Sequence, residues 1–155
     1  IAVCLLKLNN FSSKDFAKYH PGGALGKQLY LRVSDLIKNN QVPTVLENDS
    51  IAKVIVEISE KRLGVTAVLN AQNAIVGIIT DGDIRRMLSK STKIDDFTAK
   101  DIMGKNPKTI LDSAMAVEAL ERLENNNITQ ILVTDTANKY IGVVHLHDLI
   151  KEGIL

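Results

Sequence analysis

Slid against itself by 65 positions, the chain matches without a gap at Leu46 and Leu111, Val68 and Val133, Asn73 and Asn138, Gly77 and Gly142, and Asp83 and Asp148. Identities at a single offset over that span point to a duplicated unit. Duplication constrains the fold more tightly than composition does: whatever one copy forms, the other forms too. A chain of 155 residues with 45% hydrophobic content can also bury a core, as one domain or as two small similar ones.

Each copy reads as a short β-like segment, an amphipathic helix, two β-rich segments joined by a turn, and a second helix. In the first copy Ser50 can cap a helix whose Ile51, Val54, Ile55 and Ile58 share one face. Ala116, Ala119, Leu120 and Leu123 repeat that face in the second copy. Val65 to Leu69 and Ile75 to Ile79 are joined by Ala71-Gln72-Asn73; Ile128 to Thr134 and Tyr140 to Val144 are joined by Thr136-Ala137-Asn138. Turns this short favour antiparallel hairpins. One such β-α-β-β-α unit is too small to cover its own apolar faces, so the two copies are expected to pack against each other as a single α+β body.

The segment Gly77-Ile78-Ile79-Thr80-Asp81-Gly82-Asp83-Ile84-Arg85-Arg86 resembles the signature of the CBS domain: Gly, two apolar residues, Thr or Ser, two variable residues, then Asp. Its second copy reads Gly142-Val143-Val144-His145-Leu146-His147-Asp148. Upstream, Phe16-Ala17-Lys18-Tyr19-His20-Pro21-Gly22-Gly23-Ala24-Leu25-Gly26-Lys27 is similar to the junction that follows the sugar-isomerase domain in bacterial D-arabinose 5-phosphate isomerases. The combination implies a CBS-domain pair. Residues 1–30 would be the end of an isomerase domain and a linker, 31–92 the first repeat and 93–155 the second. It further implies a parent enzyme that interconverts D-ribulose 5-phosphate and D-arabinose 5-phosphate for Kdo and lipopolysaccharide or capsule synthesis. His20 matches the family's junction histidine, so its catalytic part would be played only in the intact enzyme. The other groups that move the proton would lie in the preceding domain, which leaves the fragment alone without isomerase activity.

In a CBS repeat the glycine lets the strand approach a ligand, the Thr hydroxyl can meet a phosphate, and the Asp can accept from ribose hydroxyls. Thr80 and Asp83 suit those roles, and Arg85 or Arg86 could add positive charge. The amides of the first helical turn would favour an anion at the same place. The bland alternative is that Asp83 caps its helix and Thr80 closes the hairpin. In the second copy His145 replaces Thr and the Arg pair is missing, so the ligand-binding set His145, His147 and Asp148 is expected to behave differently from the first. Two imidazoles with a carboxylate invite a zinc reading. No further Cys or His cluster supplies more ligands, so neither a metal nor a cofactor is expected.

The 19 basic and 18 acidic residues leave a net charge of +1 without long runs of one sign, so neither nucleic acid nor a membrane surface is an expected partner. The single cysteine, Cys4, suits a reducing cytoplasm. The apolar start Ile1–Leu6 is too short to span a bilayer, and it begins without Met or a cap, as a cut through a helix of a larger protein would. Expected partners are therefore a nucleotide or nucleotide-sugar effector such as CMP-Kdo, the chain's own isomerase domain, and a second CBS pair, giving a homodimer of pairs and a homotetramer in the intact enzyme. Two functions compete: a regulatory module that senses the effector, and an oligomerisation device without a ligand.

Overall fold

The computed structural model describes residues 24–91 and 93–154; His20 and Cys4 lie outside them. Two helices lead, α1 (Ala24–Tyr30) and α2 (Val33–Ile37). The first repeat follows with β1 (Thr44–Leu46), α3 (Ile51–Lys61), β2 (Val65–Leu69), β3 (Ile75–Thr80) and α4 (Asp81–Lys90). A linker holds a 3-10 turn (Ile94–Asp96), α5 (Ala99–Ile102) and the short β4 (Gly104–Lys105). The second repeat is β5 (Thr109–Leu111), α6 (Ala116–Asn125), β6 (Gln130–Thr134), β7 (Tyr140–His145) and α7 (Leu146–Lys151). The expected β-α-β-β-α order is present twice.

Local chemistry explains the boundaries. The Ser50 hydroxyl accepts from the Lys53 amide at 3.4 Å and starts α3. Both hairpins turn by one device: Asn70 Oδ1 accepts the amides of Gln72 and Ala74, and Asp135 Oδ1 those of Ala137 and Lys139. Asn73 and Asn138 then sit at φ 59° and 61°, a left-handed conformation that asparagine tolerates better than most residues. That need accounts for asparagine at both equivalent positions.

In each sheet the first strand runs parallel to the second, and the second antiparallel to the third. The first sheet has the order β1-β2-β3-β4 and the second β5-β6-β7. Side chains alternate across β2, so Val68 packs with Val54, Ile58, Ile79 and Ile84 under the helices. Val65, Ala67 and Leu69 face the other way, onto Leu132, Tyr140 and Val143 of the second sheet. That shared layer joins the repeats. Tyr140 is buried in it and donates its hydroxyl to the Pro43 carbonyl at 2.9 Å. Burial, with Glu57 nearby, pushes the phenol well above its ordinary pKa.

The leading segments are exchanged. Leu31, Val33 and Leu36, ahead of the first repeat, pack into the core of the second with Ile110, Leu123, Ile131 and Leu149. Ala99, Ile102 and Met103, ahead of the second repeat, pack into the core of the first. Main-chain bonds fix the first exchange: Val33 donates to Ala114 at 3.0 Å, Ser34 to Asp112 at 2.9 Å, and Ala116 to Leu31 at 2.8 Å. The divisions drawn at residues 30 and 92 are thus divisions of sequence, while in space each core is built from both halves.

Candidate functional site

Both signature motifs lie where the last strand of a repeat runs into its last helix. Thr80 ends β3 and caps α4. Its hydroxyl donates to Asp83 Oδ2 at 2.7 Å and accepts the Asp83 amide at 3.3 Å, while the Thr80 amide donates to the same Oδ2 at 2.8 Å. This is a capping box with Asp in the acidic place. Arg86 donates to Asp83 Oδ1 at 2.5 Å from a side chain that is 68% exposed. Burial alone would raise the Asp83 carboxyl, but the Thr80 bonds and the Arg86 guanidinium outweigh it and hold the group below the ordinary carboxylate range. The cap is thus Thr80, with Asp83 as its partner three residues on rather than as the cap itself, and the box leaves a charged carboxylate with an exposed cation beside it.

A cavity of about 330 Å³ opens on that carboxylate, lined by Asp83, Arg86, Lys90, Phe97, Asp101 and Ile102 among others. Its far wall comes from the linker, through the exchange of leading segments. Asp101 repeats the box of Asp83: Thr98 gives it both an amide and a hydroxyl at 2.7 Å, bonds that lower its pKa. Two carboxylates that can accept hydroxyls, two cations that can meet a phosphate and one aromatic face thus border a single space. Lys90, Phe97 and Asp101 escaped the sequence reading.

Arg85 and Arg86, adjacent in sequence, diverge by a helical step. Arg85 donates to the Asp81 carbonyl at 3.3 Å and, with Thr80, borders a different cleft of about 350 Å³ between the repeats, opposite Asn127, Thr129 and Gln130. The structure brings Asp83 and Arg86 to one cavity and Thr80 and Arg85 to another. A further cavity, about 680 Å³, is a broad groove between α3 and the linker at Ala52, Ile55 and Ile94, and no residue of either motif lines it.

The chain itself closes on the motif glycines. A Cβ on Gly77 would run into the Met103 side chain, and one on Gly142 would lie 3.2 Å from Ile37 Cδ1. At both glycines the close approach shown is that of an exchanged leading segment.

In the second motif His145 caps α7, its Nδ1 accepting the His147 amide at 3.0 Å. His147 belongs to the helix, not to the strand, and the two rings stack with centroids 4.9 Å apart. Asp148 Oδ2 accepts the His145 amide and, from outside the motif, the Asn40 side-chain amide, each at 2.9 Å. Burial, with His147 and Lys151 nearby, lowers the His145 pKa against the opposing pull of Asp148. Among the described residues no group of three or more His, Cys, Asp or Glu side chains is placed to hold a metal. No described helix is long and apolar enough to cross a membrane.

The CBS domain family matches residues 33–90 and 99–154. Curated relatives share sequence over nearly the whole chain: 45% identity over 97% of it with the arabinose 5-phosphate isomerase KdsD of Francisella tularensis, and 36% over its full length with KdsD of Escherichia coli K12. An uncharacterized Helicobacter pylori protein is 39% identical over 99% of the chain. The chain spans about half the length of these relatives, 46% to 47%. Among solved structures, a CBS domain protein of Pyrobaculum aerophilum complexed with AMP superposes with a TM-score of 0.70 at 26% identity, over 77% of this chain and 90% of that one. A second AMP complex, of CBSX2, shares the fold at 18% identity and a TM-score of 0.64, over 79% of this chain and 95% of that one.

Proposed function

This chain belongs to the CBS-domain family, carrying the domain twice, and from that premise we propose that it is the regulatory, ligand-sensing pair of an arabinose 5-phosphate isomerase. The observation that carries this reading is the cavity at Asp83, where Arg86 and Lys90 can meet a phosphate, carboxylates can accept ribose hydroxyls, and Phe97 offers a face to a base. The AMP held by the Pyrobaculum aerophilum relative supports a nucleotide or nucleotide-sugar as effector, with CMP-Kdo as the pathway product of matching chemistry. The names and lengths of the curated relatives support an isomerase domain as the covalent partner. In that parent, a cytoplasmic enzyme of D-ribulose 5-phosphate and D-arabinose 5-phosphate exchange, His20 would act at the junction with the catalytic domain. Regulation requires that the effector bind two arrangements of the parent with different affinity.

A ligand that binds only the folded chain raises its melting temperature. At about one hundred times its Kd the stabilisation is about 2.7 kcal/mol, or roughly 5–10 °C for a chain of this size. A thermal-shift series with AMP, ATP, CMP, CMP-Kdo and arabinose 5-phosphate is expected to single out a nucleotide. Asp83→Asn, which keeps an acceptor for the cap, is expected to abolish that shift. No shift with any compound would overturn the sensing reading in favour of a module that only holds subunits together, for which the apolar groove of Ile55, Ile84 and Leu88 between α3 and α4 would be the contact face.

A further inference from the structure

The two strand-to-helix junctions differ by more than one residue type. In the first, Thr80 supplies both donors that Asp83 Oδ2 receives, its amide at 2.8 Å and its hydroxyl at 2.7 Å. The junction is self-contained. In the second, His145 Nδ1 is used as the acceptor for the His147 amide, and a ring nitrogen whose lone pair accepts has no proton to give. Asp148 Oδ2 receives the His145 amide, and its remaining donor is Nδ2 of Asn40 at 2.9 Å, an amide that also donates to the Val143 carbonyl at 3.2 Å.

Asn40 follows Ile37, the residue packed on Gly142, by three positions; Asn106 follows Met103, the residue packed on Gly77, by the same interval. Asn106 is exposed, at φ 54°. Its segment is held instead by main-chain pairing, Gly104 opposite Ile78 and Lys105 opposite Gly77. Among the described residues the second sheet has no such added strand. A side-chain amide takes the place of strand pairing on the one side where the cap cannot donate.

We propose that Asn40 and His145 form a latch. Histidine at the cap withholds a donor from Asp148, the leading segment donates in its place, and the second motif thereby holds α1 and α2 on the second repeat. The Lys27–Glu152 ion pair, half-buried like the Asn40 bond, and the exposed Arg32 bond to the Ser113 carbonyl lie along the same segment. Of these, the Asn40 bond is the one that ends on the motif carboxylate. The motifs thus divide their work: the first leaves its carboxylate open to a small molecule, and the second binds an amide of its own chain. This goes beyond the effector reading and does not depend on it.

The test is hydrogen exchange in the full chain at the amides of Val33 and Ser34, which report docking of α2 through their bonds to Ala114 and Asp112. Asn40→Ala is expected to speed their exchange about five- to tenfold, as for the loss of one half-buried hydrogen bond, with the amides of β2 unchanged. In a His145→Thr background the threonine hydroxyl supplies the missing donor and only the Asn40 bond to the Val143 carbonyl is left to lose, so adding Asn40→Ala is expected to speed Val33 and Ser34 clearly less than it does in the natural background. Equal acceleration in both backgrounds would overturn the latch, since Asn40 would then act independently of the cap; no acceleration in the natural background would overturn it too. Should Asn40→Ala fail to fold, Asn40→Ser, too short to reach Asp148, carries the same expectations.

Discussion

At the scale of single residues, the motifs turn on what each cap can accept and donate. His145 must be neutral at Nδ1 to accept the His147 amide, and burial, His147 and Lys151 all favour that form over the opposing Asp148. Its pKa in the folded chain lies below the ordinary 6.5, so the unfolded chain binds the extra proton first as pH falls. The contribution of His145 to stability is therefore complete above about pH 6.5 and is lost as pH drops from there through the folded-state pKa. Melting temperatures followed from pH 7.5 to 5 are expected to decline, with the decline reduced in His145→Thr. An identical decline in that variant would remove His145 as the cause. The lowered pKa of Asp83 acts in a more acidic window, below the ordinary 3.8, and does not overlap this range.

At the scale of elements, the glycines show what the sequence displays and what it hides. Gly77→Ala would press a methyl into Met103, and overpacking of this kind costs about 1–3 kcal/mol. Denaturant titration should register that loss, and Met103→Ala in the same chain should recover part of it. The hairpins, the helix faces and the α+β duplication were legible because each rests on several residues at a regular spacing. The exchange of α2 and α5 was not. Helices of 5 and 4 residues are too short to show a 3.6-residue period. Their boxes, Asp35 with Arg32 and Asp101 with Thr98, also stand 66 positions apart rather than 65, so a gapless comparison passes over them. The cavity at Asp83 was half legible for the same reason. Asp83 and Arg86 belong to the motif, whereas Phe97 and Asp101 reach it only through the exchange, and the split between Arg85 and Arg86 follows from helix phase.

At the scale of the whole molecule, each core contains material from both halves, and the sheets share the layer of Val65, Ala67, Leu132 and Val143. Neither repeat can lose its packing without exposing the other's. Leu132→Ala, at a fully buried position in the shared layer, is expected to cost about 2–5 kcal/mol while unfolding remains a single transition, with calorimetric and van't Hoff enthalpies equal. Two resolved transitions would show that the repeats melt separately.

The exchanged leading segment also sets a schedule for synthesis. Arg32 and the Ser113 carbonyl it binds are separated by 81 residues, and Val33 and Ser34 pair with the same late stretch. At about 5–20 residues per second, the partners of α2 are made roughly 4–16 s after α2 itself. Throughout that interval Leu31, Val33 and Leu36 lack the second-repeat core they pack into in the folded chain. The first repeat likewise lacks Ala99 and Met103 until the linker has emerged. A nascent chain of this design completes neither half early: the core that seats Leu31, Val33 and Leu36 is finished only when the second repeat has been made.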